Sequence, residues 1–150
     1  MNDFQELYQE IVMDHNRRPR NFGELENPTS FANGFNPLCG DEINVYLELV
    51  DDQIVDISFN GDGCAISKSS ASMLTDGVKG KNVSDAIQIF ESFRQMLTRK
   101  PGEDFSSEIL GDLEILSGVS QFPARIKCAT LAWHTFHTAL TEKDKSVSTE

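Results

Sequence analysis

Phe4, Leu7, Tyr8, Ile11 and Val12 recur every three or four positions, the apolar stripe of one amphipathic helix face. That stripe predicts a helix from Asp3 to His15, which Pro19 prevents from continuing far. From Arg17 to Leu38 the chain carries Gly23, Pro28, Gly34 and Pro37, and the expectation is a long, mobile loop. The period then changes. Ile43, Val45, Leu47 and Leu49 alternate with Asn44, Tyr46 and Glu48, so Glu42 to Val50 predicts a half-buried strand. Gln53 to Asn60 predicts a second, with Asp51-Asp52 as a tight hairpin turn between them. The segment Phe31 to Phe35 supplies a third candidate strand.

After Gly61-Asp62-Gly63 the pattern is helical. Ala65 to Val78 predicts a helix of small and polar residues carrying Ile66, Met73 and Leu74. Ser84 can cap the next, whose apolar face is Ala86, Ile87, Ile89, Phe90, Phe93 and Leu97, and Pro101-Gly102 ends it. Leu110, Leu113 and Leu116 suggest a short helix over Ser107 to Leu116, and Pro123 opens a last helix reaching about Leu140. The order helix, hairpin, helices implies an α+β fold, a small antiparallel sheet of about three strands with helices on one face. Residues 1–140 form one domain on this reading, and 141–150 a flexible polar tail.

Charge narrows the function. Thirteen Lys and Arg against 24 Asp and Glu give a net charge of −11, which opposes nucleic acid or anionic membrane as the main partner. At 39% hydrophobic and 25% charged, the chain has the composition of an ordinary globular protein. No run reaches membrane-spanning length, and the acidic, amphipathic start does not look like a secretory signal, so the expected location is the cytoplasm.

Three cysteines in such a chain are expected to be reduced. Cys39 and Asp41 are two apart where a loop enters a strand, a spacing that lets both address one ion, with Gly40 allowing close backbone approach. Cys64 precedes a helix, whose terminal N–H groups favour a thiolate. Cys128 follows Arg125 and Lys127, cations that also favour the charged form. All three stand at element boundaries, where side chains tend to be accessible. Three thiolates and a carboxylate are the four donors of a tetrahedral Zn²⁺ site. Their wide spacing is unlike a paired CxxC, and periodicity does not separate a shared metal site from three unrelated buried thiols.

The residue strings carry more. Tyr8 to Gly23 (YQEIVMDHNRRPRNFG), Asn36 to Ile43 (NPLCGDEI), Phe59 to Ser70 (FNGDGCAISKSS) and Ala124 to Trp133 (ARIKCATLAW) follow in one order. Together they resemble the SufU branch of the IscU-like iron–sulfur assembly proteins. The resemblance implies the IscU-like α+β fold and zinc bound by Cys39, Asp41, Cys64 and Cys128. It implies that Cys39 is the mobile, catalytic thiol that accepts persulfide sulfur from a SufS-type cysteine desulfurase, a sulfurtransferase reaction feeding downstream Suf assembly components. Two alternatives accompany it: an IscU-like scaffold holding an iron–sulfur cluster on the same residues, and a non-catalytic zinc module that activates the desulfurase.

Departures from the scaffold pattern favour the first option. Lys127 stands where the scaffolds carry histidine, Ser120 to Arg125 lacks their proline-rich chaperone motif, and the Cys64-to-Cys128 interval is longer. Arg125, one turn before Cys128, is the expected partner-facing cation. Solvated loop charge is the expectation for Arg17, Arg18 and Arg20, helix-dipole complementation for His15, and ordinary helix packing for His134 and His137.

Overall fold

The alternation along the second strand orders the sheet. The computed structural model describes residues 3–141 and 145–148, with α1 (Asp3–Arg17), β1 (Ser30–Asn36), β2 (Asp41–Val50), β3 (Gln53–Asp62), α2 (Ala65–Val78) and α3 (Val83–Thr98), then a 3-10 segment (Gly111–Gln121), α4 (Pro123–Thr141) and β4 (Lys145–Ser148). In β2, Ile43, Val45 and Leu47 are buried while Glu42 and Glu48 are exposed. Its antiparallel neighbours keep that register, aligning Ala32 with Val45 and Val45 with Phe59 across three strands. The buried row packs beneath α4 and α2, where Leu74, Phe93, Trp133 and Phe136 complete the core. The α+β architecture with helices on one sheet face is therefore the one the periodicity implies. Asp51 and Asp52 adopt φ values of 49° and 65°, the left-handed pair of a two-residue hairpin turn.

Five features differ from expectation, the smallest being the N-cap of α3, which is Asn82, its Oδ1 accepting from Asp85 N–H at 2.7 Å, and not Ser84. Strand order is β3-β2-β1-β4, so the sheet has a fourth member, Lys145–Ser148, parallel to β1 in the segment expected as a flexible tail. Residues 142–144, 149 and 150 of that tail, and Met1 and Asn2 of the acidic start, lie outside the described residues.

The long loop is shorter and fastened. β1 occupies Ser30–Asn36, and the stretch before it is tied by hydrogen bonds from Arg20 N–H to Ser72 Oγ (2.8 Å), Thr75 Oγ1 to Arg20 O (3.1 Å), Gly23 N–H to Phe59 O (2.8 Å) and Thr29 N–H to Leu47 O (2.6 Å). Two of these partners, Phe59 and Leu47, are sheet residues, and two, Ser72 and Thr75, come from α2, which also buries Ser67, Ser69 and Ser70.

The helix placed at Ser107 to Leu116 is a 3-10 segment displaced to Gly111–Gln121. Leu110, Leu113, Leu116 and Val119 are all buried at a spacing of three, which matches a 3-10 turn and not an α-helical one. Finally, His15 does not serve the helix dipole from solvent. It is buried, with Nδ1 2.6 Å from Ser72 Oγ. His134 and His137 pack on the Phe90 ring, while Arg18 and Arg20 both pair with Asp14.

Candidate metal centre

β1 and β2 meet at one end of the sheet, with Asn36 directly opposite Asp41. Both are fully buried, so the inward apolar row of the sheet ends in an amide and a carboxylate. Pro37 to Gly40 form the connection between them, closed by Gly40 N–H donating to Asn36 O at 2.8 Å. Gly40 has φ +72°, the left-handed conformation that glycine takes at least cost. Cys39 is exposed on this loop. Its approach to Asp41 comes from the turn, not from strand alternation as the i, i+2 spacing had implied.

β3 ends beside them. A Cβ on Gly63 would lie 2.7 Å from Asp41 Oδ1, so glycine there lets the carboxylate settle against the backbone. Cys64 is the N-cap of α2, but its sulfur makes no capping hydrogen bond. Its backbone N–H donates instead to Asp41 Oδ1 at 2.8 Å, and its Sγ lies 4.0 Å from Asp41 Oδ2. Cys128 arrives on α4 with Sγ 3.5 Å from Cys39 Sγ. Exposure of the three thiols is graded: Cys39 exposed, Cys64 half-buried, Cys128 buried. The expectation of accessible thiols at element boundaries fails for Cys128, because α4 packs against β1 and β2 and its buried run begins at that residue.

Ligand atoms of Cys39, Asp41 and Cys128 all fall within 4.8 Å of one another, the metal-capable group among the described residues. Cys64 stands at its edge, adjoining Asp41. A tetrahedral zinc with Zn–S bonds of about 2.3 Å holds two sulfurs about 3.8 Å apart, close to the Cys39–Cys128 separation. Electrostatics favour a cation as well. Burial first, then hydrogen bonding to Cys39 and Cys64 and the negative charges of Cys64 and Asp41, push the Cys128 thiol far above its ordinary range. A bound cation would reverse the charge part of that cost.

Other residues belong to the centre. Arg125, read from sequence as facing a partner, is exposed, and its guanidinium pKa is raised by the charges of Cys64 and Cys128 first, then by hydrogen bonding to Cys128 and the charge of Cys39. Two participants were missed. Tyr8, half-buried on α1, feels the centre electrostatically: burial pushes its phenol up, Arg125 lowers it and Cys64 raises it. Asn36 donates from Nδ2 to Asp41 Oδ2 (3.2 Å) and Cys128 Sγ (3.7 Å), and its Oδ1 accepts from Leu38 N–H (3.3 Å). Continuing the β1 alternation from Ala32 through Gly34 would have turned Asn36 inward.

Fold and donors together define an α+β protein that presents, at one end of its sheet, a sulfur-rich cluster able to hold a cation. The chain belongs to the NifU-like N-terminal domain family, whose pattern matches residues 7–129. It is 43% identical over 138 residues to the zinc-dependent sulfurtransferase SufU of Bacillus subtilis, covering 92% of each chain. It is 40% identical over 134 residues to the iron–sulfur cluster assembly scaffold protein IscU of Streptococcus pyogenes, covering 89% of this chain and 82% of that one. A crystal structure from Fervidobacterium islandicum, described as an iron–sulfur cluster assembly scaffold protein for the SUF system, superposes with a TM-score of 0.83 at 32% identity, covering 91% of this chain and 98% of that one. No helix among the described residues is long and apolar enough to cross a membrane.

Proposed function

We propose that this chain is a zinc-dependent sulfurtransferase that accepts persulfide sulfur from a SufS-type cysteine desulfurase and passes it to downstream Suf components for iron–sulfur cluster assembly. The observation that carries this reading is the convergence of Cys39, Asp41 and Cys128 within 4.8 Å, beside Cys64, with only Cys39 on an exposed loop. Zinc held by Cys39, Asp41, Cys64 and Cys128 would keep the sulfurs deprotonated at neutral pH without redox change of its own. The chain's own chemistry is a thiol–persulfide exchange. The Cys39 thiolate attacks the outer sulfur of the desulfurase persulfide, the sulfur–sulfur bond there breaks, and the desulfurase cysteine leaves as its thiolate. A new sulfur–sulfur bond remains on Cys39, and no electrons are gained or lost overall. Cys128 is buried and cannot take this role. Arg125, exposed and acting on all three sulfurs, is the cation a docking desulfurase would meet.

A scaffold reading has its own support, since the Streptococcus relative is named as one. Colourless, anaerobically purified protein carrying one zinc fits the sulfurtransferase; iron with bound sulfide and visible absorbance fits the scaffold. Transfer of ³⁵S from the desulfurase to zinc-loaded protein tests the reaction itself. Cys39→Ala is expected to keep much of its zinc and to accept no sulfur. Labelling that survives the substitution removes Cys39 from the acceptor role, and stimulation of the desulfurase without labelling of the wild type would leave a non-catalytic zinc module.

A further inference from the structure

We infer that Asn36 is the positioning residue that makes Asp41 and Cys128 the fixed pair of donors and leaves Cys39 the ligand free to depart. This rests on the zinc-sulfurtransferase reading and extends it to a residue outside the donor set. Asn36 is fully buried at the end of β1, with each polar atom of its side chain engaged. One face of the amide donates to the Asp41 carboxylate (3.2 Å) and to the Cys128 sulfur (3.7 Å). Its carbonyl accepts from Leu38 N–H (3.3 Å), and its backbone oxygen accepts from Gly40 N–H (2.8 Å).

Three consequences follow from the chemistry. The amide carries no charge, so it can hold a carboxylate and a thiolate without competing for a cation. An N–H donor facing an anion orients it and spreads its charge, the role that outer-shell partners play around metal ligands. Donation is also selective. Cys39 Sγ makes its hydrogen bond with Cys128 Sγ and receives none from Asn36. The backbone on either side of Cys39 is tied to Asn36 through Leu38 and Gly40, so its exposed sulfur departs by rotation of the Cys39 side chain while Asp41 and Cys128 stay in place. The difference between a tethered and a mobile sulfur thus comes from one amide at the base of the loop.

Two variants separate the donor role from the loop role. Asn36→Asp keeps an acceptor for Leu38 N–H and removes the donors; Asn36→Ala removes both. Zinc affinity is read by competition with a chromophoric chelator, the donor set by the cobalt(II) spectrum, and the departing ligand by mass-spectrometric mapping of alkylation on zinc-loaded protein. Trp133 fluorescence and circular dichroism report folding. In the wild type, alkylation is expected on Cys39 alone. Both variants are expected to bind zinc about 10- to 100-fold more weakly, with an altered cobalt spectrum and with alkylation spreading to Cys128. If Asn36→Ala does not fold, Asn36→Asp carries the test. Folded Asn36→Asp with zinc affinity within about twofold of wild type and labelling confined to Cys39 overturns the inference. Wild-type protein that binds zinc but accepts no ³⁵S would instead fail the sulfurtransferase reading, with the Asn36 comparison intact.

Discussion

At the scale of single residues, burial decides which titrations the fold feels. His15 is 5% exposed and hydrogen-bonded to Ser72. Its pKa is held below the ordinary imidazole value of about 6.5, first by burial and then by Arg20, against opposing pulls from Asp14, Asp76 and Asp112. As pH falls, the unfolded chain therefore takes the proton first. The contribution of a neutral His15 is complete above about pH 6.5 and is lost as pH descends through the folded-state value. Urea denaturation of metal-free protein between about pH 7 and pH 5 is expected to show wild type losing stability more steeply than His15→Gln. Parallel curves would mean that His15 does not titrate differently in the fold. Legibility at this scale was uneven. Cys39, Asp41, Cys64 and Cys128 were nameable because their flanking strings resemble a family, not because their spacing forces convergence. Asn36 carried no such mark; an asparagine before a proline has a commoner explanation, and only the tertiary register brings it to the Cys128 sulfur.

Among elements, the legible ones were those whose periodicity matches a regular structure over many residues. The alternation of β2 gave its face directly, and the stripe of α1 gave Tyr8, Ile11 and Val12 of its inward face, though Leu7 is exposed and the buried His15 was not read as part of it. α2 was different: its helix could be read, but not the fact that its serines would be buried, since burial of a hydroxyl depends on partners supplied by other elements. Ser70 and Ser67 show both outcomes on one helix. The Ser70 hydroxyl donates to Ala129 O (2.5 Å) and accepts from Trp133 Nε1–H (3.2 Å), clasping α2 to α4 next to Cys128. Ser67 Oγ is buried without a hydrogen-bond partner among the described residues. Ser70→Ala leaves the buried indole N–H unpaired and is expected to cost about 1–3 kcal/mol in urea denaturation, while Ser67→Ala is expected to be neutral or slightly stabilising. Equal losses for the two would mean that packing of the hydroxyl, not its hydrogen bonding, sets the cost.

For the whole molecule, the relation between core and metal centre decides what removing the metal does. The centre joins the β1–β2 loop, the start of β2, the N-cap of α2 and the second turn of α4, segments spread over 90 positions of sequence. The core does not depend on it. Phe59, Phe93, Trp133 and Phe136 are fully buried and form an apolar core that includes none of the carboxylate and thiol donors Cys39, Asp41 and Cys64. This differs from a small zinc domain, where the metal supplies the folding energy outright. Chelated protein is therefore expected to retain the far-ultraviolet circular dichroism and cooperative unfolding of the loaded form. Zinc should still add stability by mass action, about 4 kcal/mol at a free concentration of 1,000 times its dissociation constant. That gain should be smaller in Cys39→Ala than in Asp41→Ala only if the exposed thiol contributes more to zinc affinity than the buried carboxylate. The architecture argues the reverse order, because Asp41 receives N–H donors from Asn36 and Cys64 and links β2 to α2, whereas Cys39 is exposed on the β1–β2 loop. Loss of helical dichroism on chelation would show that the core cannot stand without the cation, and with it would go the separation of stable frame from labile sulfur on which the proposed transfer relies.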